Sequence, residues 1–266
     1  MATNHHQRRA TFDQVALLYD QARPGYPDAL FDDVIAFSHI PPDGRILEIG
    51  CGTGQATLPF ARRGFSIHCI ELGAELAAVA RQNLAPYPHA VVSVGAFETW
   101  PTQHGNYDLV ISATAFHWID PAVRYQKVAH ALKPNGTIAL FWNTHVGTEV
   151  STGFFQTIQA VYERIVPDMA AQFPGLSHPD TVPAPVKDEI DHTGLFGDVT
   201  IRRYLWNRMY DSTSYINLLN TYSDHRSLDD TTREQLFRGI AEVIDAHFGG
   251  QITKEYLTIL YLARRK

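Results

Sequence analysis

Two patterns alternate along the first half of the chain. Short runs that are apolar at nearly every position occur at Arg45–Gly50, Ser66–Glu71, Ala90–Val94, Tyr107–Ser112 and Thr137–Trp142. Runs apolar on both faces predict strands of a sheet covered on both sides. The stretches between them have helical spacing. These are Gln55–Arg63, then Ala74–Leu84 with Leu76, Val79, Ala80 and Leu84 on one face, and Asp120–Leu132. In the last of these, Asp120 reads as an N-cap and Pro121 as the first helical residue. Strands alternating with helices in this way predict an α/β fold with a doubly wound, mostly parallel sheet and helices on both faces.

The flanks follow other rhythms. Thr11–Tyr19 and Asp28–Phe37 predict two helices joined by the turn-rich Ala22–Pro27. Beyond residue 143, Thr152–Ile165 predicts a helix and Phe173–Pro185, with its four prolines, a surface loop. Val199–Met209 and Lys254–Ala263 predict strands. Thr231–Phe248 predicts a long helix, with Leu236, Phe237, Ile240, Val243, Ile244 and Phe248 at helical spacing. No clean linker interrupts the chain. The expectation is therefore one domain over residues 1–266: a helical lid (1–40), a core (41–143) and a C-terminal part (144–266) that completes the sheet.

Composition narrows the function classes. At 266 residues the chain buries a core without disulfides or metal. Its two cysteines, Cys51 and Cys69, exclude a disulfide framework and suit a reducing compartment. A formal charge of −6 argues against a protein that grips nucleic-acid phosphates. The N-terminus has no apolar signal region, and no apolar run nears the roughly 18 residues that span a bilayer. No His/Cys cluster has metal-ligand spacing, so no metal site is expected. These features lead to the expectation of a soluble, cytoplasmic protein.

The chemistry concentrates in Ile46–Gly54, ILEIGCGTG. A buried strand runs into Gly50, Gly52 and Gly54 and then into a helix. Glycines at alternate positions let the backbone turn sharply and let a ligand approach it closely. The helix start favours an anionic group. The dinucleotide fingerprint G-x-G-x-x-G fails here, because its last glycine falls on Gln55 or, one register on, Thr57. The phosphate loop fails too, since no Lys-Ser or Lys-Thr follows. What remains is E-x-G-x-G-x-G, from Glu48 through Cys51 and Thr53 to Gly54.

That loop resembles the cofactor loop of class I methyltransferases, which use S-adenosyl-L-methionine (SAM) and release S-adenosyl-L-homocysteine. The opening Phe12–Pro27 resembles small-molecule enzymes of the trans-aconitate methyltransferase-like kind. The resemblance implies a seven-stranded Rossmann-like sheet with a helical cap. It implies that Glu71 accepts the ribose hydroxyls, that Leu72 and Phe97 pack at the adenine, and that the Ala113 carbonyl takes the methionine ammonium. It implies Tyr19 and Arg23 at the methionine carboxylate. Where the family usually carries an Asp after the third strand, this chain has Ala96. His117 and Trp118 fall just past the fourth strand, where open α/β sheets place ligands. His117 is the first choice for a general base by residue type; His145 and His225 are further candidates. Trp142, Tyr162, Trp206, Tyr215 and Tyr222 supply aromatic surface near the cleft or the core.

The implied activity is in-line methyl transfer to a small molecule, a carboxylate or a hydroxyl among the acceptors, by a monomer or homodimer. Neither nucleic acid nor membrane is an expected partner. A SAM-binding protein without turnover, a lipid, quinone or nucleic-acid methyltransferase, and a nicotinamide oxidoreductase remain as alternatives, the last disfavoured by the failed fingerprint.

Overall fold

Apolar runs that must be covered on both faces become adjacent parallel strands. In the computed structural model, which describes residues 15–173 and 175–266, the five predicted runs form β1 (Arg45–Ile49), β2 (Ser66–Glu71), β3 (Ala90–Val94), β4 (Tyr107–Ala113) and β5 (Leu132–Val146). They pair in parallel. β6 (Thr200–Asp211) and β7 (Gln251–Arg264) complete a seven-stranded sheet of order β3-β2-β1-β4-β5-β7-β6. β7 runs antiparallel to both of its neighbours. The chain leaves β1 toward β2 and β3, then returns to β4 on the other side of β1. This reversal opens a crevice at the carboxyl ends of β1 and β4, where ligands of doubly wound sheets sit.

The helices before the sheet are α1 (Ala16–Ala22) and α2 (Asp28–Ser38). The first was expected from Thr11, and its residues up to 14 lie outside the described residues, as does Pro174. Between strands come α3 (Thr57–Arg62), α4 (Ala74–Leu84) and α5 (Arg124–Ala131). Two of these start later than the sequence pattern predicts, for local reasons. The Leu58 N–H donates to the Gly54 carbonyl, but Pro59 has no N–H to make the next such bond, and α3 begins at Thr57 and not Gln55. Asp120 Oδ1 accepts the Ala122 N–H while its carbonyl accepts Val123 and Arg124 N–H. That makes a turn ahead of α5 and not a cap upon it. Lys133–Gly136, expected as a turn before the fifth strand, lies inside β5. There Asn135 is left-handed (φ 62°) and pairing with β4 jumps from Tyr107/Leu132 to Leu109/Thr137.

After β5 come α6 (Glu149–Ile165), α7 (Pro167–Ala171), α8 (Val186–Thr193), α9 (Ser212–Leu219), α10 (Ser223–Arg226) and α11 (Asp230–His247). The sequence reading contained only α6 and α11. The others are too short for a clear period, and α8 buries only Ile190. Alternate residues of the strands feed two cores. Leu47, Val110, Leu140 and Leu257 face one side, and Ile46, Ile111, Phe141 and Leu260 the other. A third cluster, including Phe154, Tyr215, Leu236 and Tyr256, lies under the C-terminal helices. Among the described residues no helix is long and apolar enough to cross a membrane.

A carboxyl group sits deep within this apolar frame. Glu48 of β1 is fully buried, with only the Thr57 hydroxyl (2.6 Å) and the Cys69 thiol (3.9 Å) donating to Oε2 and no partner at Oε1. Burial pushes its carboxyl from about 4.5 up to about 7. A native pKa above the unfolded value means that the folded state loses stability as pH rises from about 4.5 to about 7. Glu48→Gln keeps the shape and removes the ionisation. It should therefore be the more stable protein at pH above 7, by up to ~3 kcal/mol, with the gain fading below about pH 5. Thermal unfolding of both proteins across that range checks this; parallel pH profiles would refute it.

Candidate functional site

The loop after β1 can follow its path only with glycine. Gly50, Gly52 and Gly54 all adopt left-handed backbone (φ 70°, 57° and 91°). A Cβ on Gly50 would come within 2.6 Å of Ala115 Cβ, on the loop after β4. The Gly50 N–H donates to the Ile70 carbonyl of β2 (2.8 Å). The buried carboxylate of Glu71, at the end of β2, holds the next turn: Oε2 accepts the Gly52 N–H (2.8 Å) and Oε1 accepts the Gly73 N–H (2.9 Å).

These loops floor a cavity of about 470 Å³ in the crevice. Of the residues singled out in the sequence, Tyr19, Arg23, Gly50, Gly52, Glu71, Leu72, Phe97, Ala113 and His117 line it together. Five others stand outside the lining. Glu48 lies within β1 as described above. Cys51 is buried, and hydrogen bonding to Cys69 together with burial pushes its thiol well up. The Thr53 carbonyl accepts from Asn83 Nδ2 (3.0 Å). The Gly54 N–H donates to the Cys51 carbonyl, and the Ala96 carbonyl accepts the Trp100 N–H in the turn after β3.

The N-terminal helix is fastened over this loop. Gln55 Nε2 donates to the Asp20 and Arg23 carbonyls (both 3.3 Å), and Asn83 Nδ2 donates to Asp20 Oδ1 (2.9 Å). Arg23 then meets the far end of the chain. Its guanidinium stacks over the rings of Tyr19 (5.0 Å) and Tyr222 (4.6 Å), and Nη2 donates to the Thr221 carbonyl (2.9 Å). Tyr222, Ser223 and Asp224 thereby join the cavity wall, with His145 beside them.

His117 sits on a short 3-10 turn, Phe116–Trp118, and Trp142 Nε1–H donates to its Nδ1 (3.0 Å). Indole can only donate, so the neutral imidazole held this way carries its proton on Nε2. Thr114, three residues earlier, is left-handed (φ 54°), a genuine outlier for a β-branched residue. The hydrogen bond between its hydroxyl and that of Tyr26 (2.9 Å) and the Phe141 carbonyl, which accepts its N–H (2.8 Å), hold it there. Such strain gathers at functional sites. The sequence pattern points to Tyr222 only as aromatic surface near the cleft, and not to Thr114, Ala115, Ile119, Leu76, Ser223 or Asp224, as cavity residues. Apolar or small side chains carry no chemical signal, and nothing local ties residue 222 to residue 23. Among the described residues no three His, Cys, Asp or Glu side chains gather as a metal site.

Comparison with known proteins bears on the domain and the fold. A family model described as a methyltransferase domain matches residues 46–136, from β1 to the start of β5. An uncharacterized methyltransferase of Mycobacterium tuberculosis is 31% identical over 144 residues, 54% of this chain and 56% of its own length. A malonyl-[acyl-carrier protein] O-methyltransferase of Geobacter sulfurreducens is 34% identical over 98 residues, 36% of this chain and 37% of its own. The chain spans about half the length of the first curated relatives it matches. Among solved structures, the YcgJ protein of Bacillus subtilis superimposes with a TM-score of 0.55 at 17% identity, covering 90% of this chain and 99% of that one. Haemonchus contortus phosphoethanolamine N-methyltransferase 2, solved with S-adenosyl-L-methionine, gives 0.55 at 15% identity over 95% of this chain and 57% of its own. These last two likenesses speak for the fold alone. Residues 46–136 thus match a methyltransferase-domain model, and the sheet has the Rossmann-like fold of class I methyltransferases.

Proposed function

We propose that the cavity binds SAM and that the protein transfers the methyl group to a small-molecule acceptor. The observation that carries this reading is the Glu71 carboxylate held against a three-glycine turn within the matched segment. The residues present fit the cofactor. Gly52 leaves room that a Cβ would narrow to 3.7 Å from the Tyr19 ring. Glu71 carries an acceptor-only carboxylate at the cavity, a group that suits ribose hydroxyls. Ile70, Leu72, Phe97 and Ile119 offer apolar walls for a flat base. Arg23, stacked and always charged, suits a carboxylate. Ala113 lines the cavity, and its carbonyl would accept from the methionine ammonium group. With Ala96 outside the lining, the adenine amino group would depend on backbone groups near Phe97.

When bound, SAM supplies an electrophilic methyl on a sulfonium. The protein's part is to hold a nucleophile in line with that methyl and to exclude water. The Arg23–Tyr222 stack closes one side of the cavity, and His117 and Trp118 stand at another. Because Trp142 occupies Nδ1, His117 as held orients an acceptor; a base role requires the ring to release that N–H. A carboxylate acceptor needs no base.

Calorimetric titration with SAM and with S-adenosylhomocysteine tests the reading. Binding of both in the micromolar range is expected, with none of NAD; binding of NAD alone would overturn it. Glu71→Ala should weaken cofactor affinity by roughly tenfold or more, since it removes charge-assisted hydrogen bonds worth about 1.5–3 kcal/mol. Unaltered affinity would remove Glu71 from the ribose role. His117→Ala should keep the cofactor affinity and lower turnover with an identified acceptor. Equal turnover would take His117 out of the transfer step.

A further inference from the structure

A second chamber, of about 370 Å³, adjoins the first and shares His145, Tyr222 and Asp224 with it. Its size falls within the roughly 300–1,000 Å³ of small-molecule sites. Phe155, Ile158, Met169, Phe173 and Leu219 make its walls largely apolar. At one end stands Lys254, on β7, 2% exposed. Its ammonium lies over the rings of Phe155 (5.1 Å), Tyr215 (5.7 Å) and Tyr256 (5.7 Å). Its hydrogen-bond partner is His145 Nδ1 (3.3 Å), so the neutral imidazole donates from Nε2 to the Tyr222 hydroxyl (3.0 Å).

Among the described residues no carboxylate forms a salt bridge with Lys254. The next residue, Glu255, does not serve: it accepts from Thr148 and Ser151 (2.6–3.0 Å). Arg208 pairs opposite Lys254 on β6, and Arg23, just past α1, adds positive charge. The acid on the shared wall, Asp224, is bound to His225 Nδ1 (2.8 Å), whose Nε2 meets the Tyr162 hydroxyl (2.7 Å). A buried ammonium without a counter-ion is costly. Desolvation, with Arg23 second, lowers Lys254 to about 7. His145 is held neutral by burial, Lys254 and Arg23. A ligand that brings its own negative charge relieves this deficit, and the apolar walls favour a hydrophobic body behind that charge.

We infer that the second chamber is the acceptor's binding site, and that Lys254 anchors a small amphipathic anion there by pairing with its carboxylate. As an acceptor site this rests on the proposed methyl transfer; as an anion site it stands on the chamber alone. The body of the molecule would fill the space beside Phe155 and Ile158, and its reacting atom would lie toward the boundary at His145 and Tyr222.

The test uses the full chain saturated with S-adenosylhomocysteine, titrated with phenylacetate, octanoate and the neutral phenylacetamide. Both acids should bind with Kd near 1 mM or tighter and at least about tenfold better than the amide. Lys254→Met should lose that preference while its affinity for S-adenosylhomocysteine stays at the wild-type value. Acid and amide binding alike, acids failing to bind, or an unaltered preference in Lys254→Met would each overturn the anchor. Should that variant not fold, proton uptake in the wild type decides. At pH 8, calorimetry in buffers of differing ionisation enthalpy should show roughly half a proton or more taken up per acid bound, as Lys254 becomes charged. The arginines do not titrate there, His145 is neutral throughout, and the tyrosines of the chamber are raised by burial. No uptake would overturn the inference. Failure of S-adenosylhomocysteine to bind, with acid binding intact, would instead count against the cofactor reading.

Discussion

The Glu71 carboxylate joins the two loops on which the cavity rests. One oxygen accepts from Gly52, in the turn that ends β1, and the other from Gly73, ahead of α4. A buried carboxylate needs such donors, since leaving it unpaired costs far more than a neutral group. The turn in its place needs an acceptor, because the Gly52 N–H, beyond the end of β1, takes this carboxylate and not a strand carbonyl as its partner. Each solves the other's problem. The cavity floor is consequently a small polar knot between two parallel strands and not a flexible loop.

The second constraint is positive charge held away from water. Arg23 lies between Tyr19 and Tyr222, and Lys254 lies among Phe155, Tyr215 and Tyr256. Aromatic faces hold cations without neutralising them. The two cavities meet at His145 and Tyr222, and the hydrogen bonds from Lys254 through His145 to Tyr222 run along that boundary. One end of the site thus carries the acid Glu71, and the other a surplus of cations. A cofactor with hydroxyls and a carboxylate, and an acceptor with an anionic group, match that distribution.

Much of the fold and part of the site were legible in the chain. Runs such as RILEI and SIHCIE are apolar on both faces, and only a covered parallel sheet accommodates them. The loop EIGCGTG announced its turn because no other residue tolerates those backbone angles so cheaply. Tyr19, Arg23, Glu71, Leu72, Phe97, Ala113 and His117, each named from the sequence, come together at one cavity. The later boundaries of α3 and α5 were not legible, since they depend on which carbonyl accepts which N–H in a turn.

What the sequence by itself determined is the local chemistry: alternation of strand and helix, three glycines after an acidic strand, and an acid at the end of the next. Those are set by backbone sterics and by apolar periodicity, which act over a few residues. Only the tertiary structure decided that Tyr222 stacks on Arg23 across 198 intervening positions of chain, that Trp142 fixes the tautomer of His117, and that Lys254 faces a chamber. In the sequence Lys254 is one polar residue near the start of a strand. Its meaning comes from β7 entering between β5 and β6, which places it beside His145 with no salt-bridged carboxylate among the described residues. Side-chain patterns report burial along one element, whereas the charge balance of a cavity depends on which elements the fold brings to it.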